Sequence, residues 1–550
     1  MSARNTRVTQ RQRPRKDAGE AIMDSGTGPQ FQRINRRRLL GEDLTRNTIN
    51  FGHRTAIHDV ATGRTLTFAE FERRVNWVAH GLLDRLKVRP GERIGVLGRN
   101  EVDTLTLYYA ASRMGAVVVP LNFRANADEL RYILDDCTAT TLAVSMEFSD
   151  RIDARVRSTR KVVTFGSPAG DDDVAMLVRR GDCAPPDLEI SDLAPAYIMY
   201  TGGTTGAPKG VTQCQAGYVA LAQNMLLSLA PQGIGRTDSW LMGAPLYHGG
   251  GWAYSVTTLH FGMCLHLLRE FDAAEVARAF RAGYGTVTWF VPTMSRRVID
   301  HAEAEKLSAD YFDHVRLIVS AGAPLDRVLR GEMMRRFRKA KILDMVGQTE
   351  VTSTVMALSE DRDIEGKPNS VGLPVPGMAV AILDDNDRPL PPGQIGEICY
   401  RGNQLMLGYW NKPDLTAAAM SGGWFHSGDL GRRDEDGVIA MVGRKKEVIK
   451  SGGETIIPNE IEAILREVNG VKEVCVIGVP DRDWGERVHA VIADGGAGDR
   501  AALLDAVKAH CRSRLSGYKV PKTWSIVERL PTSAVGKVDK AAVRQIAESG

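Results

Sequence analysis

Apolar runs of strand length alternate along this chain with longer helical stretches, and that alternation constrains the fold more than any other feature. "RIGVLG" (93–98) reads as a strand, "EVDTLTLYYAASRMG" as a helix ending at Gly115, and "AVVVPL" as the next strand. The pattern recurs at "TTLAVS", "KVVTF", "TVTWFVP" and "VRLIVSAG". Strand, helix, strand in repetition predicts an α/β fold with mostly parallel sheets. At 550 residues the chain is too long for one core, so two or three domains are expected.

The pattern changes near residue 380. "AVAILDDNDRPLPPGQIGEICYRG" and "GDLGRRDEDGVIAMVGR" read as strand, turn, strand, with Asp-Asn-Asp, Pro-Pro-Gly and Asp436-Gly437 as turn chemistry. This predicts an antiparallel β section closing a large domain of stacked α/β sheets. A charged segment, "GRKKEVIKSGGE", follows, and then a small α+β pattern from "PNEIEAILREV" to a closing helix after Lys537. The expected division is a basic tail over 1–30, a large domain over 31–442, a connector over 443–447 and a small mobile domain over 448–550.

Charge and cysteine usage exclude several classes. The net charge is +4, but Arg4, Arg7, Arg11, Arg13, Arg15 and Lys16 form a tail with no acid before Asp17, and without those six cations the balance is −2. No aromatic residue interleaves them, so the tail reads as solvated chain and not as a nucleic-acid platform. No run is long enough to span a bilayer, and no apolar h-region marks a secretory signal. The seven Cys are scattered without zinc spacing. A cytoplasmic protein with reduced thiols is expected.

The chemistry begins at "YTGGTTGAPKG" (200–210). Gly202, Gly203 and Gly206 let backbone N–H groups approach an anion, Thr201, Thr204 and Thr205 offer hydroxyl donors, and Lys209 adds a point charge. The loop follows a strand and precedes the helical stretch "AGYVALAQNMLLSL". It is not a Walker loop, because Pro208 precedes the Lys and Gly210 follows it. Composition alone leaves two readings, a phosphate loop or a flexible turn.

With the segments that follow it, the loop resembles the phosphate loop of the adenylate-forming superfamily, which includes acyl-CoA synthetases. In that family's order come "PLYHGGG" (245–251), similar to its acyl-pocket loop, "SAGAPL" (320–325), similar to its adenine-side loop, and "VGQTE" (346–350). Then come "GWFHSGDLG" (423–431), "GRKKEVIKSGGETIIPNEIE" (443–462) and "PTSAVGKVDK" (531–540), similar to the ribose segment, the hinge region and the C-terminal Lys motif. Alone, each could be a turn, a strand end or a solvated charge run; their joint order carries the resemblance.

The resemblance implies an AMP-forming acyl-CoA ligase using ATP, Mg²⁺ and coenzyme A. A carboxylate would attack the α-phosphate of ATP, and a thiol would then displace AMP. It implies Thr349 on the α-phosphate, Glu350 on Mg²⁺, Asp429 on the ribose hydroxyls, and Arg444 on the ribose or phosphate side. Gly322, Ala323, Pro324, Val346, Gly347 and Gln348 would line the nucleotide, and Lys537 would bridge carboxylate and α-phosphate. Lys446 would be the hinge. Rotation there would bring Lys450, Ser451, Gly452 and Gly453 over the site for the thiol step.

His248, Gly249, Trp252 and Gly347 are expected at the acyl pocket, with Trp289, Phe290, Val291 and Met294 as candidate walls. "PLYHGGG" has no acid to pair with an ammonium, so an α-amino acid is not expected. Gly347 in place of a pocket-shortening Trp points to an acid larger than acetate: aliphatic, aryl or polycyclic. Two departures stand out. Val346 replaces an adenine-stacking aromatic, and "VTQCQAG" lacks the family's His after the phosphate loop. They leave other readings open: a thioester half-reaction from preformed acyl-adenylate, acyl transfer to a carrier protein, or an inactive adenylate-binding scaffold. No nucleic-acid partner is expected; a homodimer is left open.

Overall fold

The computed structural model describes residues 38–167, 173–177, 183–203, 206–325, 327–357, 370–496, 498–531 and 538–549. The basic tail, Thr204, Thr205 and Lys537 lie outside them. Among the described residues the strands form three sheets of thirteen, seven and five strands.

The seven-stranded sheet has a parallel centre in which Val117–Leu121, Arg93–Leu97, Thr141–Ser145 and Lys161–Phe165 lie side by side. The thirteen-stranded sheet has a second parallel run, through Ser239–Met242, Val287–Phe290, Leu317–Ala321 and Lys341–Val346. It turns antiparallel from residue 356 onward, where Ser370–Pro374, Met378–Leu383, Gly396–Gly402, Phe425–Arg433 and Ile439–Arg444 extend it. The expected α/β class and the antiparallel closure are both present.

Helices between the two large sheets explain the main core. Gln215–Leu229 and Gly249–Phe261 are apolar around nearly their whole circumference, and nearly every residue of the second is buried. A helix apolar on all sides must be covered on all sides, and these two lie with strands of both sheets in one hydrophobic cluster. Ala273–Arg281 instead keeps a polar face to solvent and covers the outer side of the thirteen-stranded sheet through Val276 and Phe280.

The five-stranded sheet, containing Ile449–Ser451, Glu454–Ile456, Glu473–Asp481, Gly485–Ala493 and Thr523–Val527, belongs to the C-terminal part. Helices Pro458–Leu465 and Arg500–Arg514 cover one face and Lys540–Ser549 the other, each with its own buried cluster. This separate core matches the expectation of a small α+β body. No helix among the described residues is long and apolar enough to cross a membrane.

Candidate active site

The glycine-rich segment is the tip of a hairpin. Pro195–Gly203 and Gly206–Cys214 pair antiparallel, Thr201 stands opposite Lys209 and Gly203 opposite Gly206. The second strand was not legible in sequence, because Gly-Ala-Pro-Lys-Gly hides it. Pro208 is tolerated there with its carbonyl accepting from the Tyr132 hydroxyl at 3.2 Å.

Lys209 stands over the Tyr409 ring, 5.3 Å from its centroid. The Tyr409 hydroxyl donates to Glu350 Oε1 at 3.0 Å. One aromatic side chain therefore spaces the phosphate-loop cation from the carboxylate expected to meet a metal. Its strand, Gly408–Tyr409, pairs with the hairpin itself, and no spacing rule in the sequence points to it. The Thr349–Glu350 backbone is fixed from two sides: the Gln213 amide donates to the Thr349 carbonyl, and Met406 N–H donates to the Glu350 carbonyl at 2.7 Å. Gln213 is in turn held by the Tyr218 hydroxyl.

The missing His has a structural answer. Gln215, which begins the helix after the hairpin, is buried; its amide donates to the Ser112 carbonyl at 2.9 Å and its oxygen accepts from Leu40 N–H at 3.0 Å. It ties three helices together and is spent on packing.

The pair expected at the ribose is pre-shaped. Asp429 and Arg444 are register partners on adjacent strands, with Arg444 Nε 2.9 Å from Asp429 Oδ1. Asp429 is 4% exposed, while the Arg444 side chain is about half exposed. Burial raises the Asp429 carboxyl above its ordinary range, and Arg444 pulls it back. Oδ1 has no well-aligned hydrogen bond despite the nearby guanidinium. A desolvated carboxylate with an unused lone pair is suited to hydroxyl donors. Lys446 is half-buried in the same neighbourhood. Burial lowers its ammonium first, then Arg444; Lys209 adds to the shift while Glu447 and Asp429 oppose it.

Gly322, at φ +87°, opens an exposed turn through Ala323 and Pro324. The place where its Cβ would stand is 3.1 Å from Val291 Cγ1, so Val291 lies beside this loop. Val346 is half-buried, packs on the antiparallel section and accepts from Val355 N–H at 2.8 Å. The Gln348 amide nitrogen is buried without a partner among the described residues.

Four acyl-pocket expectations are corrected. A Cβ on Gly347 would stand 1.3 Å from the Ser353 carbonyl oxygen. Backbone, not an open pocket, therefore dictates glycine at this position, and Gly347 carries no information about acid size. Trp252 is fully buried among Tyr108, Tyr109, Tyr197 and Tyr218 in the main core, so it is a packing residue. Phe290 and Met294 likewise face the outer cluster.

His248 and Gly249 stand at the start of helix Gly249–Phe261. His248 caps helix Gly249–Phe261 by accepting from Gly250 N–H at its Nδ1, 3.2 Å away. Its ring lies near-parallel to Trp289, with centroids 6.5 Å apart. Gly249 lies 3.6 Å, measured from its ideal Cβ, from Thr349 Oγ1 and so joins this loop to the nucleotide side. The Trp289 indole nitrogen is buried and unpartnered among the described residues.

On the small body, Gly452 (φ +58°) and Gly453 (φ +85°) form the two-residue turn between paired Ser451 and Glu454. Positive φ at both positions is what such a hairpin requires. Lys450 is exposed and donates to Thr455 Oγ1 at 2.7 Å. The Trp484 ring covers Gly452, whose amide donates to the Trp484 carbonyl at 2.8 Å. Sequence reasoning missed this half-exposed Trp; a lone large aromatic in a charged turn, "DRDWGER", was the available signal.

Comparison with known proteins fits this geometry. The AMP-binding enzyme family model matches residues 44–410, and the AMP-binding enzyme C-terminal domain model matches 460–537. A feruloyl-CoA synthase of Amycolatopsis sp is 36% identical over 496 residues, covering 90% of this chain and 96% of that protein. An indoleacetate–CoA ligase of Aromatoleum aromaticum is 35% identical, covering 82% and 88% respectively. The crystal structure of ATP-bound MatB from Rhodopseudomonas palustris superposes with a TM-score of 0.84 at 29% identity, covering 93% of this chain and 99% of that one. The chain belongs to the AMP-binding enzyme family, the adenylate-forming superfamily, as an AMP-forming acid–thiol ligase of the acyl-CoA synthetase type.

Proposed function

We propose that this ligase activates a non-amino carboxylic acid larger than acetate with ATP, then passes the acyl group to coenzyme A by rotation of residues 448–550 about a hinge at 443–447. The observation that carries the reading is that Lys209, Tyr409 and Glu350 form one chain of contacts and that the charge of Glu350 also acts on Asp429, the partner of Arg444. Acid size now rests on relatives, which include enzymes named for ferulate and indoleacetate, and no longer on Gly347.

In this reading the hairpin amides and Lys209 hold the departing β,γ-phosphates and steady the charge that builds there. Asp429 accepts from the ribose hydroxyls. Thr349, fixed through its carbonyl by Gln213, presents its hydroxyl to the α-phosphate side. Glu350 fits Mg²⁺, a hard cation that takes few protein carboxylates and completes its shell with water and phosphate oxygens. When bound, the ion would neutralise phosphate charge. His248, fixed as a cap, and Trp289 border the acyl group. Lys537 serves the first half-reaction and Lys450 with the Ser451–Gly453 turn the second. The unpaired cysteines suit a reducing cytoplasm.

Pyrophosphate exchange across a panel of carboxylic acids tests the first step. Supplying acyl-AMP and coenzyme A tests the second alone. Exchange with no panel acid, together with thioester formation from supplied adenylate, would replace the two-step reading with the half-reaction one. A relative named fatty acid–[acyl-carrier-protein] ligase ScoC, 29% identical, makes a carrier-protein phosphopantetheine the competing acceptor in that assay.

A further inference from the structure

Two sets of ion pairs flank Lys446, one residue to either side, and each holds to a different body. On the upstream side, Lys445 Nζ lies 2.8 Å from Asp385 and 3.2 Å from Glu397 Oε2. Both acids belong to the antiparallel section of the large body. Glu397 is buried; its Oε1 accepts from Gly428 N–H at 2.9 Å, immediately before Asp429, and its Oε2 lies 3.2 Å from His426 Nδ1. One carboxylate thus fixes both the ribose-side backbone and the residue before the hinge.

On the downstream side, Glu447 Oε2 accepts from Lys540 Nζ at 2.6 Å. Lys540 begins helix Lys540–Ser549, which packs on the five-stranded sheet of the small body. It follows Lys537 by three residues in the sequence, and Asp539 N–H donates to the Pro531 carbonyl at 2.8 Å.

We propose that Lys445 and Glu447 are positioning residues that confine rotation between the half-reactions to the backbone at Lys446. Neither clamp spans the two bodies, so neither has to break when the small body turns. Between them lies the Lys446 backbone, which takes up the large φ/ψ change, as hinges do over a few residues. A bend that spread over several residues would let Lys537 and Lys450 arrive off position, and small misplacements are costly in rate. Fixing 445 and 447 makes the arc reproducible. The inference rests on the domain-alternation reading above.

The test uses the full-length protein with ferulate, or the panel acid that exchanges fastest. Glu447→Lys and Lys540→Glu are each expected to lower overall thioester turnover by about 5- to 20-fold, and the double charge exchange to return it to within about threefold of the parent, since only a direct pair is rescued this way. Lys445→Met should lower turnover by about 3- to 10-fold with the ATP KM and the melting temperature little changed. Single variants at the parent rate, or a double variant no better than the worse single, overturn the clamp. Lys446→Pro tests the underlying reading separately. If it leaves both partial reactions and their coupling intact, alternation itself fails. If it uncouples them while the charge variants are silent, only the clamp fails.

Discussion

The nucleotide mouth of the large body and the Lys450 turn of the small body are built on opposite plans. Around the mouth, polar groups are held before any ligand arrives: Asp429 is buried beside Arg444, Glu350 is hydrogen-bonded by Tyr409, and Thr349 is held by Gln213. Lys450 stands exposed beside a two-residue hairpin turn, its ammonium donating to Thr455 and its backbone N–H to Glu486. Preorganised electrostatics belong where charge develops on phosphates. In the proposed cycle Lys450 visits the site and leaves it, which suits an exposed side chain on a separate core. The contrast teaches that a fixed sheet junction and a delivered group suit the two proposed half-reactions differently.

The largest break in that contrast should come from Glu350→Gln. It keeps the Tyr409 contact but removes the charge, and pyrophosphate exchange should fall by about 10²- to 10³-fold, the cost typical of losing one transition-state contact. Exchange at the parent rate would remove Glu350 from the first step. Next is Lys450→Ala, expected to slow thioester formation from supplied acyl-AMP by about 10- to 100-fold while leaving exchange within about threefold. Equal losses in both assays would erase the division between the two regions.

A smaller effect sharpens the adenine side. Val346→Tyr should tighten AMP by about 3- to 10-fold, part of what base stacking is worth; unchanged or weaker binding by calorimetry would show that the position does not meet the base. The smallest concerns the strand leading into the mouth. Desolvation pushes the Asp344 carboxyl up to about 7, with the Arg330 charge opposing. The folded chain therefore holds this proton more tightly than the unfolded chain, and its contribution to stability is lost as pH rises from about 4 towards 7. Asp344→Asn should flatten that part of the melting-temperature profile; a profile with the parent's slope would remove Asp344 as its cause.

The motif order was legible because each motif is local. Gly-Thr density, a Thr-Glu pair and an Asp beside Gly mark their own positions. The walls of the acyl site were not legible for the opposite reason. Trp252 and Trp289 are both large aromatics near motif loops, yet one is ringed by four tyrosines in the core and the other lies against His248. Only the packing of two helices between two sheets decides which is which. Gly347 misled for a related reason: its lack of a side chain answers to the Ser353 carbonyl, and that contact is created by a turn. Tyr409 went unseen because its partner Glu350 lies 59 positions away and no periodicity links them.

By itself the sequence determined the α/β class, the separate small C-terminal body and the motif order that marks the family, since strand and helix periods and turn chemistry act over a few residues. Tertiary structure alone decided that the glycine-rich segment is a hairpin tip and that Gln215 is consumed in packing. It also placed Tyr409 between Lys209 and Glu350 and clamped Lys445 and Glu447 to different bodies. These are contacts between segments far apart in the chain. Their geometry exists only once the sheets have closed over a common core.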